Sequence, residues 1–165
     1  MTANPYSMLV RCKQWADRGL HESIARDFGR LDAQDALIMP LILDHIHVVD
    51  RIFQHHLQGL PHPFHAPRSD VTPDIAALAK GAEEVDAWYV AYVDGLPPRA
   101  FDEPVDFVFT SGAPARMTRG EIILHVCLHG TYHRGNAGIL LQKSGASPYQ
   151  DGITDFLEAT AVVAA

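Results

Sequence analysis

Cysteine is scarce in this chain. The 165 residues hold two, Cys12 and Cys127, far apart in sequence, so no disulfide framework is implied. A reducing cytoplasm is the simplest compartment for such a protein. Basic residues are outnumbered: 13 Lys and Arg against 20 Asp and Glu give a formal net charge of −7. That balance argues against nucleic acid as a partner, because phosphate-backbone binding needs a basic footprint. Long apolar runs are missing too. The longest, Ala36 to Leu43, contains Pro40 and falls far short of the roughly 20 residues that span a bilayer. Met1 to Met8 lacks the basic segment and apolar run of a secretory signal. No Ser-His-Asp arrangement, phosphate-binding loop or dinucleotide fingerprint is present. The expectation is a soluble cytoplasmic protein with no nucleic acid or membrane partner. At 165 residues and 47% apolar content, it should form one domain over residues 1–165 with a substantial core.

What the chain does have is histidine. In His125-Val-Cys-Leu-His129-Gly-Thr-Tyr-His133-Arg-Gly three histidines recur at intervals of four. On a helix, imidazoles at i and i+4 lie on one face about 6 Å apart, close enough to share one metal ion. His125 and His133 are about 12 Å apart along the axis at 1.5 Å per residue, so one outer histidine must drop out. Helical phase selects which. Ile122, Val126, His129, His133, Ala137 and Leu140 fall in a stripe about 80° wide at 100° per residue, the pattern of a core-facing surface. His125 lies about 80° from the centre of that stripe and so outside it. His129 and His133 are therefore the candidate ligands. The alternative is a pair of ordinary core histidines, but each buried ring then needs its own partner, whereas one cation satisfies both.

A third ligand can come from the run Ile38 to Phe53. Ile42, His45, Val49, Ile52 and Phe53 form its inward stripe, with His45 near the centre and His47 about 160° away. His56 shares the stripe but lies about 16 Å further along, too far for the same ion. His55, His56, His62 and His65 flank a Pro- and His-rich loop and read as solvated or loop-packing residues.

The remaining elements follow from periodicity and punctuation. A first helix is expected from Pro5 to Asp27, with Leu9, Cys12, Ala16, Leu20 and Ile24 inward and Trp15 in the core. Pro40 should start or kink the second helix, and Gly59-Leu-Pro61 should end it. Thr72-Pro73-Asp74 reads as the start of a third helix with Thr72 as N-cap. Val105, Phe107 and Phe109 alternate with polar or outward positions as a strand, and Ser111 to Pro114 turns it back into a hairpin. Thr118-Arg-Gly-Glu121 is a capping box that opens the last long helix. Leu124, Leu128 and Ile139 give that helix a second apolar side, so it is either central in the bundle or packed on a second copy in a homodimer. The fold class expected is all-α, a four-helix bundle with a small β-hairpin before the last long helix, in which the helices of His45 and of His129/His133 are neighbours.

Leu43-Asp44-His45 followed by Asp50-Arg51, then Thr118 to His125, then His129-Gly-Thr-Tyr-His133-Arg134-Gly135 resemble the DinB (damage-inducible) family. The resemblance runs from Trp15-Ala-Asp to Ile153-Thr-Asp-Phe-Leu157. It implies a four-helix bundle with a metal held by one histidine of the second helix and two of the last, which fall on His45, His129 and His133. One departure is Asn136, where many members carry Gln. Thiol-dependent S-transferases and a mycothiol-dependent isomerase occur among DinB-like proteins, so the resemblance implies a low-molecular-weight thiol among the small-molecule substrates.

Three neutral imidazoles suit one divalent transition metal per chain, zinc or nickel first, iron or cobalt next. Structural zinc sites usually close the sphere with a fourth protein ligand, commonly Cys, and Cys127 lies about 120° from the inward stripe. The expected function is a metal-dependent enzyme that activates a small thiol. A metal-dependent hydrolase using bound water, and a non-enzymatic metal- or ligand-binding stress protein, are the alternatives. Asp50 and Arg134 project about 100° to one side of their stripes. They are expected either to pair between the helices and orient the site, or to form a surface pair of little consequence. No general acid or base is identifiable.

Overall fold

The computed structural model describes residues 4–163, so the first three residues of the N-terminal stretch read above lie outside it. Helix α1 spans Pro5–Asp27, as its periodicity predicts, with the Asn4 side chain accepting the Tyr6 amide at its start. Helix α2, Ala33–Gln58, begins a full turn and more before Pro40 and runs through it. Its start is set instead by the Asp32 carboxylate, which accepts the Asp35 amide. Gly59 closes the helix at φ 66°, a left-handed conformation that suits a residue without Cβ. Helix α3 is Ile75–Gly95, and its N-cap is Asp74 rather than Thr72. The Asp74 carboxylate accepts from the Ala77 amide at 2.7 Å, so the cap lies two residues beyond the expected one.

Strands β1 (Pro104–Val108) and β2 (Pro114–Thr118) form the predicted antiparallel hairpin, pairing Val105 with Met117 and Phe107 with Ala115. Val105 and Phe107 face the bundle and are buried. Helix α4, Arg119–Lys143, opens on the Thr118/Glu121 capping box with both reciprocal bonds made. A further helix, α5 at Ile153–Val163, follows, beyond the four that periodicity predicts. The segment around it covers Trp15, which is half-buried and meets Tyr149 at 4.8 Å in a tilted contact and Phe156 at 5.9 Å edge-on rather than entering the central core.

The four long helices form the expected all-α bundle: α1 and α2 each pack against both α3 and α4. Two apolar clusters fill it. One contains Val10, Phe53, Val85, Phe107 and Val126; the other contains Leu20, Ile24, Met39, Leu78, Ala137 and Leu141. Between them along α1 come Lys13 and Asp17, and along α4 come His129, Gly130, His133 and Arg134. A polar layer therefore interrupts the core at mid-height. On α4, Leu124, Leu128 and Ile139 are exposed in the single chain. Among the described residues, no helix is long and apolar enough to cross a membrane.

Candidate metal centre

His45, His129 and His133 come together across α2 and α4, each offering a ring nitrogen within 4.8 Å of the others. The Nε2 atoms of His45 and His129 are 3.0 Å apart. Two nitrogens bound about 2.1 Å from one tetrahedral ion are roughly 3.4 Å apart, so the spacing needs little adjustment to accept one. His133 completes the cluster, its ring 4.5 Å from both His45 and His129. Among the described residues no Cys, Asp or Glu joins this group. Cys127 is buried, and burial pushes its thiol up to about 12, so it is an inert thiol rather than a ligand.

The ring of His45 is oriented by a loop. Its Nδ1 is 2.7 Å from the carbonyl oxygen of Pro67. A carbonyl only accepts, so Nδ1 carries the proton and Nε2 presents a lone pair toward His129. The loop is anchored beside it, because the Ser69 amide and hydroxyl donate to the Asp44 carboxylate at 2.8 and 2.6 Å. His129 has a buried Nδ1 with no protein partner. Burial, reinforced by the charges that His133 and His45 would carry, pushes His129 down to about 3. His133 is lowered for the same reasons, burial first and His45 second. His129 and His133 thus resist protons while their ring nitrogens converge with that of His45, an arrangement that suits a shared cation.

His47 and His125 fall where helical phase places them, outside the cluster. His47 faces α3, where a Cβ on Gly81 would lie 2.8 Å from its ring. His125 packs on Phe53 at 4.8 Å, one turn before the cluster. His56 stacks on Phe107 at 4.5 Å and His62 packs on His56 at 5.2 Å, so both are loop-packing residues. His55 bonds the Arg51 carbonyl and His65 is exposed.

Asp50 and Arg134 are both buried, but they do not pair with each other. Asp50 bonds Lys13 Nζ at 2.7 Å, while Arg134 bonds Asp17 at 3.2 Å and Asp151 at 2.6 Å. The reason is α1. It packs against α4 and inserts Lys13 and Asp17 where the two expected partners would have met. Lys13 Nζ holds three carboxylates, with Asp17 at 2.8 Å and Asp86 at 2.5 Å besides Asp50. Burial would depress this ammonium, but the three acids outweigh it and hold it well above its usual range. Burial pushes Asp50 up to about 6 and Asp86 well above the ordinary carboxylate range, with Lys13 opposing both shifts. The network lies directly under the ligand helix. A Cβ on Gly130 would be 2.8 Å from Arg134 Nη1 and 3.4 Å from Lys13 Cε, so glycine next to His129 makes room for both cations.

Lys13, Asp17 and Asp86 were not singled out from the sequence. A signal existed: Leu9, Lys13, Ala16 and Leu20 also keep helical spacing, which places a charge on the inward side of α1. The DinB family model matches residues 8–162. The chain belongs to the DinB family. Comparison with curated proteins and with solved structures found no match. Within this DinB-family bundle, the residues around the histidine cluster fall into two sets: the Pro67 loop that aims His45, and the Lys13 network beneath His129.

Proposed function

We propose that this DinB-family protein binds one divalent transition metal, zinc or nickel, through His45, His129 and His133, and that it acts on a small-molecule thiol as a metal-dependent transferase. The observation that carries the reading is a three-imidazole group with no fourth side-chain ligand among the described residues. Such a donor set leaves a coordination position for water or substrate, unlike a closed structural site. A divalent ion held there supplies the positive charge that keeps a thiol deprotonated at neutral pH. The protein's share is orientation. Pro67 fixes the tautomer and plane of His45, and the pairing of Arg134 with Asp17 and Asp151 fixes the α4 segment that bears His133.

The test begins with metal analysis of protein purified without a His-tag, which should give one equivalent of metal. Substitution with Co(II) then gives a spectroscopic handle, and 2-mercaptoethanol at millimolar concentration should add a near-ultraviolet charge-transfer band. A spectrum unmoved by thiol would remove the transferase reading. Ester or amide cleavage without thiol would then favour the hydrolase, and silence in both assays the non-enzymatic binder.

A further inference from the structure

The loop that aims His45 also builds a hollow beside it. The space, about 490 Å³, is walled by Leu41, Asp44 and His45 of α2 and by Pro67, Arg68 and Thr72 of the loop. Its backbone is held on both sides of Arg68: Pro67 by the His45 bond, Ser69 by its two bonds to Asp44. Asp44, the one acid in the lining, is 1% exposed and engaged by Ser69. Arg68 is different. It is exposed, and among the described residues its guanidinium makes no ion pair and no hydrogen bond. A guanidinium presents paired N–H donors that match a carboxylate bidentately. Thr72 adds a hydroxyl, and Leu41 and Pro67 an apolar wall, which suits a short aliphatic arm.

We propose that this hollow binds the carboxylate of a small ligand through Arg68, making Arg68 a specificity-determining residue next to the histidine cluster. Joined to the thiol reading, on which this part rests, the substrate class becomes a short thiol that carries an acid group, with the carboxylate on Arg68 and the sulfur directed at the cluster. Arg68 reads the ligand's charge and takes no part in holding metal.

Two probes separate the anion site from the thiol reading. Butyrate, a carboxylate without sulfur, is titrated into the purified protein and the Ser69 and Thr72 amides are followed by NMR. Saturable shifts in the millimolar range are expected, lost in Arg68→Ala and partly restored in Arg68→Lys. Absent shifts, or shifts unchanged in Arg68→Ala, would overturn the proposal. In the Co(II) protein, 3-mercaptopropionate should then half-saturate the charge-transfer band at a concentration about fivefold lower than 2-mercaptoethanol, the size expected of one exposed charged pair. That preference should vanish in Arg68→Ala while the response to 2-mercaptoethanol stays unchanged. Butyrate binding without any thiol response would leave the anion site standing and sink the thiol chemistry.

Discussion

His45 and His47 are two residues apart and have unrelated surroundings. His45 meets the α4 histidines, whereas His47 lies against Gly81 of α3. If the cluster holds metal as proposed, His45→Ala and His133→Ala should weaken metal affinity by at least about 100-fold, since losing a ligand costs more than losing its supporting bond. His47→Ala and His125→Ala should leave affinity nearly unchanged. Competition with a chromophoric chelator measures all four, and metal loss from His125→Ala would mean the wrong pair was chosen. Protons give a second handle, on other histidines of the same helices. His129 and His56 are depressed by burial to about 3 and about 4, so the unfolded chain binds their protons first as pH falls. Their contribution to the metal-free protein is complete above about 6.5, the unfolded value. It is then lost as pH falls toward those folded values. Asp50, raised to about 6, acts oppositely and adds stability as pH drops through that value. Histidines outnumber raised carboxylates, so urea midpoints should fall between pH 6.5 and 4, and His129→Gln should flatten the slope.

At the scale of elements, the charged layer is what distinguishes this bundle from an apolar one. Lys13 serves three acids from three helices, Asp17 on α1, Asp50 on α2 and Asp86 on α3. Lys13→Met removes the shared cation and strands those carboxylates, which should destabilise the fold by about 3–5 kcal/mol. Asp86→Asn should cost much less, because burial already works against the charge on Asp86 and Lys13 keeps Asp17 and Asp50. Chemical denaturation of the two variants tests the difference, and equal losses would mean that the Asp86 charge is as indispensable as the cation it faces. Much of the architecture was legible beforehand: the stripe of α1, the capping box at Thr118 and the hairpin all rest on local patterns that tertiary context did not override. The histidine trio was legible for the same reason, since phase on a helix converts spacing directly into direction. Other features were not. Proline marks no boundary at Pro40, because Asp32 already caps a helix that continues past it. The Asp50 and Arg134 pairing failed because partner choice depends on what a third helix inserts. The Pro67 carbonyl could not be found at all, since a backbone acceptor in a loop leaves no mark on residue type.

Over the whole molecule, the bundle order makes α2 and α4 neighbours although α3 and the hairpin intervene between them in sequence. The carboxylate network and the histidine cluster share mid-height, so the four helices are tied together polar-to-polar there and apolar-to-apolar at either end. His45 and His129 are 84 residues apart. A tie between them closes a long loop, and loop-closure entropy postpones such contacts until most of the chain is already in place. An ion held by both would therefore act as a latch set after the rate-limiting step of folding. Adding zinc should slow unfolding in proportion to the binding energy while refolding keeps its metal-free rate. Stopped-flow traces with and without zinc would show this as a shift of the unfolding arm alone. Equal acceleration of refolding would mean that α2 and α4 meet early. On this view the protein's lifetime in a cell is governed by how much metal is at hand, even when its folding is not.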